Sequence, residues 1–192
     1  MVSRLLSTST AVLIALALTA CSSDGDATGP SPSPSDTTTE SGSPTPGTLV
    51  GTDTFALTLP EGWVEQSDAG VALLLGVSAQ TVDGYPMNVN VVLDPTLVPV
   101  ASEQLGKLRT TILSESGATN IVDRGDYAVD AEPAVRLSYE QVVEDINVNS
   151  EEISVSHEEA GYIITFSFAP SVAAAERDDL VVRVMSTWTW AP

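Results

Sequence analysis

Residues 153–168 read ISVSHEEAGYIITFSF. Ile153 and Val155 alternate with Ser154 and Ser156, while Tyr162, Ile164, Phe166 and Phe168 alternate with Thr165 and Ser167. A period of two sends successive side chains to opposite faces of a strand, which gives each run a strongly apolar face. Between the runs, His157-Glu158-Glu159-Ala160-Gly161 is short, polar and ends in glycine. That combination predicts a hairpin turn and antiparallel pairing.

The same alternation extends outward in both directions. Val135, Leu137 and Tyr139 alternate with Arg136, Ser138 and Glu140. Met87, Val89, Val91 and Leu93 carry Asn88 and Asn90 between them and stop at Asp94-Pro95. Phe55, Leu57 and Leu59 form a first strand ended by Pro60-Glu61-Gly62-Trp63, and Val71–Val77 is a continuous apolar run. Within IVDRGDYAV, Asp123-Arg124-Gly125-Asp126 reads as a turn between two strands, a plainer account than a recognition tripeptide.

Two segments carry a helical period instead. Ala101, Leu105, Leu108 and Ile112 predict a helix from about Val100 to Glu115, with Gly117 beyond its end as a C-cap. Ala173, Leu180, Val184 and Trp188 predict a second helix, N-capped by Ser171 after Pro170. Strands, a helix, a run of antiparallel strands and a final helix make an α+β domain, an antiparallel β-sheet covered by two main helices. Trp63 and Trp188 are expected in its core and Trp190 at its surface. Small residues such as Ala72 and Gly76 would leave a gap between sheet and helix that suits an acyl chain.

The 192 residues carry seven Lys+Arg against 26 Asp+Glu, a formal charge of −19. So negative a surface repels phosphate backbones and anionic head groups, which argues against nucleic-acid partners and against electrostatic membrane adsorption. One cysteine and one histidine permit no internal disulfide and no closed Cys/His zinc site.

The N-terminus has the layout of an export signal: Arg4, an apolar core from about Leu5 to Leu18, then small residues. Its strictly apolar run, Ala11–Leu18, is far short of the roughly 20 residues a membrane-spanning helix needs. Leu18-Thr19-Ala20-Cys21 resembles the bacterial lipobox. By that resemblance the signal, residues 1–20, is removed and Cys21 carries a diacylglyceryl group. Two long acyl chains hold a protein stably where one does not. From Ser22 to Thr52 the chain is rich in Pro, Ser, Thr, Gly and acid, with no aromatic residue and no Lys or Arg. Residues 21–52 are therefore expected to be a lipidated cysteine followed by a disordered spacer reaching about 30 Å, and residues 53–192 the globular domain.

The opening FALTLPEGW, the mid-chain helix, the strand meander and the terminal helix closing on STWTWAP together resemble the PsbP-like fold. With the lipobox and spacer they are most similar to actinobacterial lipoproteins of the LpqN/LpqT type. The resemblance implies an α/β/α sandwich, an extracytoplasmic location at the cell membrane, and an adaptor or a carrier of envelope lipids or glycolipids. It brings no catalytic residues.

A search for chemistry agrees. No GxSxG or SxxK motif and no glycine-rich phosphate loop is present, and His157 reads as a solvated turn residue. The adjacent acids Glu144-Asp145, Glu151-Glu152, Glu158-Glu159 and Asp178-Asp179 lack the spacing of a calcium loop and read as a solvated acidic face. The expectation is a non-enzymatic binding or adaptor module held at the membrane by Cys21, with an envelope lipid or protein as partner and no cofactor or metal. The alternative is a lipid carrier with an apolar cavity.

Overall fold

The computed structural model describes residues 47–67, 70–95, 97 and 101–192. The signal, Cys21 and the spacer as far as residue 46 lie outside the described residues. The described residues belong to one compact unit.

The elements are β1 (Thr48–Gly51), β2 (Phe55–Leu59), β3 (Trp63–Glu65), β4 (Ala72–Val82), β5 (Tyr85–Asp94), α1 (Ser102–Glu115), β6 (Thr119–Val129), β7 (Glu132–Val143), β8 (Ile146–His157), β9 (Ala160–Phe168), α2 (Ala174–Met185) and β10 (Thr189–Trp190). Seven strands form one antiparallel sheet in the order β3-β4-β5-β9-β8-β7-β6, and β1-β2-β10 form a smaller one. The fold is α+β, an antiparallel sheet with two helices, as the alternating runs required. The hairpin at 153–168 is the joint between β8 and β9, with His157 paired to Ala160 and Glu158 at a φ of 53° in the turn.

One face of the large sheet is largely covered. Val89, Val91, Ile153, Val155, Tyr162, Ile164, Phe166 and Phe168 point into a cluster closed by Phe55, Leu57 and Leu59 of β2 and by Leu180, Val181, Val184 and Met185 of α2. On the other face α1 buries Leu105 and Leu113 against Val135, Leu137 and Tyr139. The two helices thus lie on opposite faces. Gly117, at a φ of +93°, follows the end of α1. Its N–H donates to Ser114 O and that of Ala118 to Leu113 O, so the C-cap expected there is present.

Five local features differ from expectation. The spacer reading ran to Thr52, whereas Thr48–Gly51 pair with Ala56–Leu59. Only Leu49 and Val50 are apolar in that stretch, so its pairing comes from β2 and not from its own pattern. Asp123–Asp126 do not separate two strands; β6 runs on through them as a bulge, with Gly125 at a φ of +88°. Helix α2 stops at Met185, and Trp188 lies beyond it because β10 turns back to pair with β2. Its N-cap is Ala173, which makes no side-chain cap bond, and not Ser171. Finally, the gap expected at Gly76 is filled: a Cβ there would sit 2.4 Å from Leu59 Cδ2.

Candidate functional site

Cross-strand neighbours share a face of a sheet, so the registers give the second face row by row. One row runs Val64, Val77, Asn88, Ser167, Ser150, Tyr139 from β3 to β7. The next runs Leu75, Asn90, Thr165, Glu152, Leu137, and a third Ala72, Val92, Ile163, Ser154, Val135. Helix α1 contacts β6, β7 and β8. On β9, Thr165 and Ser167 are buried and Ile163 packs with Leu97 in the α1 cluster. Among the described residues no helix or strand lies over β3, β4 and β5 on this face. There, Val64 is 50% exposed, and Leu75, Val77, Asn88, Asn90 and Val92 are half-buried.

The boundary between the covered and uncovered halves is charged. Arg109, on the underside of α1, donates from Nε to Glu152 Oε1 at 2.7 Å and from Nη2 to Glu152 Oε2 at 3.0 Å. Both side chains are buried, and Ser154 Oγ donates to Glu152 Oε1 at 3.2 Å. Tyr139 bonds with Ser150 and Thr165; burial, reinforced by the Glu152 charge, holds its phenol above the ordinary range, so it stays a neutral hydroxyl. A fixed, self-satisfied polar seam therefore edges the uncovered half.

Glu151, the neighbour of Glu152 in sequence, points to the opposite face. It accepts from Arg136 Nε at 3.1 Å and lies 2.9 Å from Arg136 Nη2, which also donates to Asp178 Oδ1 of α2 at 2.6 Å. Arg124, re-aimed by the β6 bulge, donates to both Asp178 oxygens at 3.0 and 2.8 Å. The reading of Glu151-Glu152 as a solvated acidic pair is thus corrected: each is 2% exposed and each meets an arginine. A period of two separates them and interior salt bridges hold them, a combination that adjacency alone does not suggest.

Burial raises the Glu151 pKa, with Arg136 opposing. A carboxyl whose folded-state pKa exceeds the unfolded value contributes stability below the unfolded pKa, and loses it as pH rises through the folded one. Glu151→Gln should therefore gain stability relative to wild type as pH rises from about 4.5 to 7. Urea midpoints for both proteins at the two ends of that range measure it, and a constant difference would show that burial does not control this carboxyl.

Between the other flank of α1 and the β6 bulge lies a half-open groove of about 400 Å³. Ser102, Gly106, Thr110, Asp123, Asp126 and Val135 are among the residues lining it, and Thr110 Oγ1 already donates to Gly106 O at 2.9 Å. It is half-open and its lining mixes polar and apolar surface, unlike an enclosure for acyl chains. His157 is not a freely solvated turn residue: its side chain is 19% exposed, with Nδ1 3.3 Å from Glu132 Oε1 and its ring stacked on Trp190 at 4.0 Å. Trp63 and Trp188 are buried as expected, while Trp190 is half-buried beneath His157. Among the described residues no three His, Cys, Asp or Glu side chains group as a metal site, and no helix is long and apolar enough to cross a membrane.

No protein-family model and no curated protein matches this sequence. Among solved structures, similarity is found to LpqN of Mycobacterium tuberculosis, a protein involved in cell envelope biogenesis, at 13% identity and a TM-score of 0.49, over 77% of this chain and 87% of that one. Similarity is also found to the cyanobacterial PsbP of Synechocystis sp. PCC 6803, at 14% identity and a TM-score of 0.48, over 72% and 87% of the two chains. At these values the likeness concerns the course of the chain and assigns no ligand, partner or activity.

Proposed function

We propose that this chain is an extracytoplasmic lipoprotein of the cell envelope, anchored through Cys21, whose domain acts as a non-enzymatic binding or adaptor module. The observation that carries the binding role is the uncovered half of the second sheet face, where Val64, Leu75, Val77 and Val92 accompany two asparagine amides. Partly exposed apolar side chains gathered on one face mark interaction sites on soluble domains. The anchor reading rests on the Leu-Thr-Ala-Cys tetrad after an apolar run, followed by a Ser/Thr/Pro spacer.

Cys21→Ser tests the anchor. Wild-type chain labelled with radioactive palmitate in a bacterium that processes lipoproteins should sediment with membranes, and the variant should lose both label and sedimentation. A variant that still sediments after a high-salt wash would sink the proposal. The binding role is read separately, by comparing envelope proteins cross-linked to wild type and to a variant with Val77→Glu in the uncovered face. Identical cross-links in the two samples would remove that face from the account.

A further inference from the structure

The uncovered half differs from the rest of the domain in charge. The sequence holds no Lys or Arg from residue 5 to residue 106, a span that includes β3, β4 and β5. All six remaining basic residues lie on α1, α2 and the β6–β7 side, and Arg109, the one nearest the uncovered half, is neutralised by Glu152. Glu61 stands exposed in the turn before β3 and Glu115 at the end of α1, whereas Glu65, paired with Gly76, points to the covered face. The surface mixes Val64, Leu75, Val77 and Val92 with Asn88 and Asn90 and carries an acid on each bank.

Its shape is equally specific. Gly106, Thr110 and Ser102 put one flank of α1 toward β6. By the 100° turn per residue, Leu108 and Ile112 then lie on the opposite flank, over the uncovered half. Leu108 is 42% exposed and Ile112 half-buried, so they form one bank, with Val64 on β3 the other. The strands between span about 15 Å, at roughly 4.8 Å per strand. One α-helix, about 10 Å across, fills that width.

We infer that the uncovered half docks a single amphipathic helix of a partner protein, its apolar stripe on Val64, Val77, Leu75 and Leu108 and its flanks carrying Lys or Arg toward Glu61 and Glu115. The inference rests on the binding-module reading and names the chemistry of the partner. Charge complementarity selects a basic helix over a second copy of this chain, whose own margins are acidic. Asn88 Oδ1, whose Nδ2 already donates to Tyr85 Oη at 3.0 Å, and the Asn90 amide face polar groups along the seam.

The test uses the compact unit Gly42–Pro192, which contains both hydrophobic clusters. An 18-residue designed helix with a leucine stripe and lysine flanks is titrated into isotope-labelled protein, and so is the same helix with each lysine changed to glutamate. The amides of Val77, Asn88, Asn90 and Leu108 should shift with the lysine helix, and the glutamate helix should bind at least about tenfold more weakly. Val64→Lys with Leu108→Lys should reduce affinity by a similar factor, and unchanged melting shows that both exposed sites tolerate the change. Shifts confined to the α2 face, equal binding of the two helices, or unchanged affinity of the double variant would each overturn the inference. So would a single-chain detergent that moved the same amides and displaced the helix, which would assign the face to acyl chains. A chain that Cys21 anchors, yet that ignores the helix, overturns this inference and leaves the anchor reading intact.

Discussion

Arg109→Ala should destabilise the domain by about 3–5 kcal/mol in urea unfolding, because it strands the Glu152 carboxylate in the interior. Glu152 is 2% exposed and both its oxygens accept from Arg109, at 2.7 and 3.0 Å. The only other bond described to it is the one from Ser154 Oγ, which supplies no charge. Replacing both partners by apolar residues of similar volume, Arg109→Met with Glu152→Leu, should cost far less than the single change, since the desolvation penalty leaves with the charges. Urea midpoints at constant slope measure both. A single-variant loss below about 1 kcal/mol, the scale of an exposed pair, would show that Glu152 reaches water.

Phe55→Ala should cost about 3–5 kcal/mol, the range for removing a fully buried aromatic ring. Phe55 is wholly buried, stacks on Trp188 with centroids 4.4 Å apart and 10° between planes, and meets Tyr162 edge-on at 6.2 Å. That cluster joins the small sheet to the large one, because Phe55 pairs with Trp190 through β2 and β10 while Tyr162 stands on β9. The near-UV circular dichroism of Trp188 should change along with the unfolding midpoint. A loss under about 1.5 kcal/mol with an unaltered aromatic spectrum would mean that the two sheets are held together elsewhere.

Much of this architecture is legible in the sequence because the β7–β9 meander writes its burial in a period of two. The apolar residues of 153–168 fall where the alternation puts them, and α1 lies within two residues of its predicted start. The short elements are not legible. Strands β1 and β10 exist through β2, whose residues are distant from β10 in sequence, and neither carries a pattern of its own. The β6 bulge is hidden for a different reason: Arg-Gly-Asp looks like a turn, yet its glycine serves an inserted residue within a continuing strand. The candidate face was out of reach for a third reason. Asn88 and Asn90 show which residues share a face, but which half α1 covers depends on where that helix lands.

His157 and the Glu151-Glu152 pair teach the same lesson. Their polarity suggests solvent, while the fold supplies Trp190 for one and an arginine on each face for the other two. Local pattern can say which way a side chain points from its strand. It cannot say what waits there.

The basic-free span has a consequence for how the domain would be released, were it anchored through Cys21 as proposed. A protease that cuts after lysine or arginine finds no bond to cut from residue 5 to residue 106, which takes in the spacer, the β1–β2 pair and strands β3 to β5. The first such bond follows Lys107, inside α1. Cleavage there requires the helix to open first, so cutting by trypsin-like enzymes within residues 5–107 is governed by the opening equilibrium of α1.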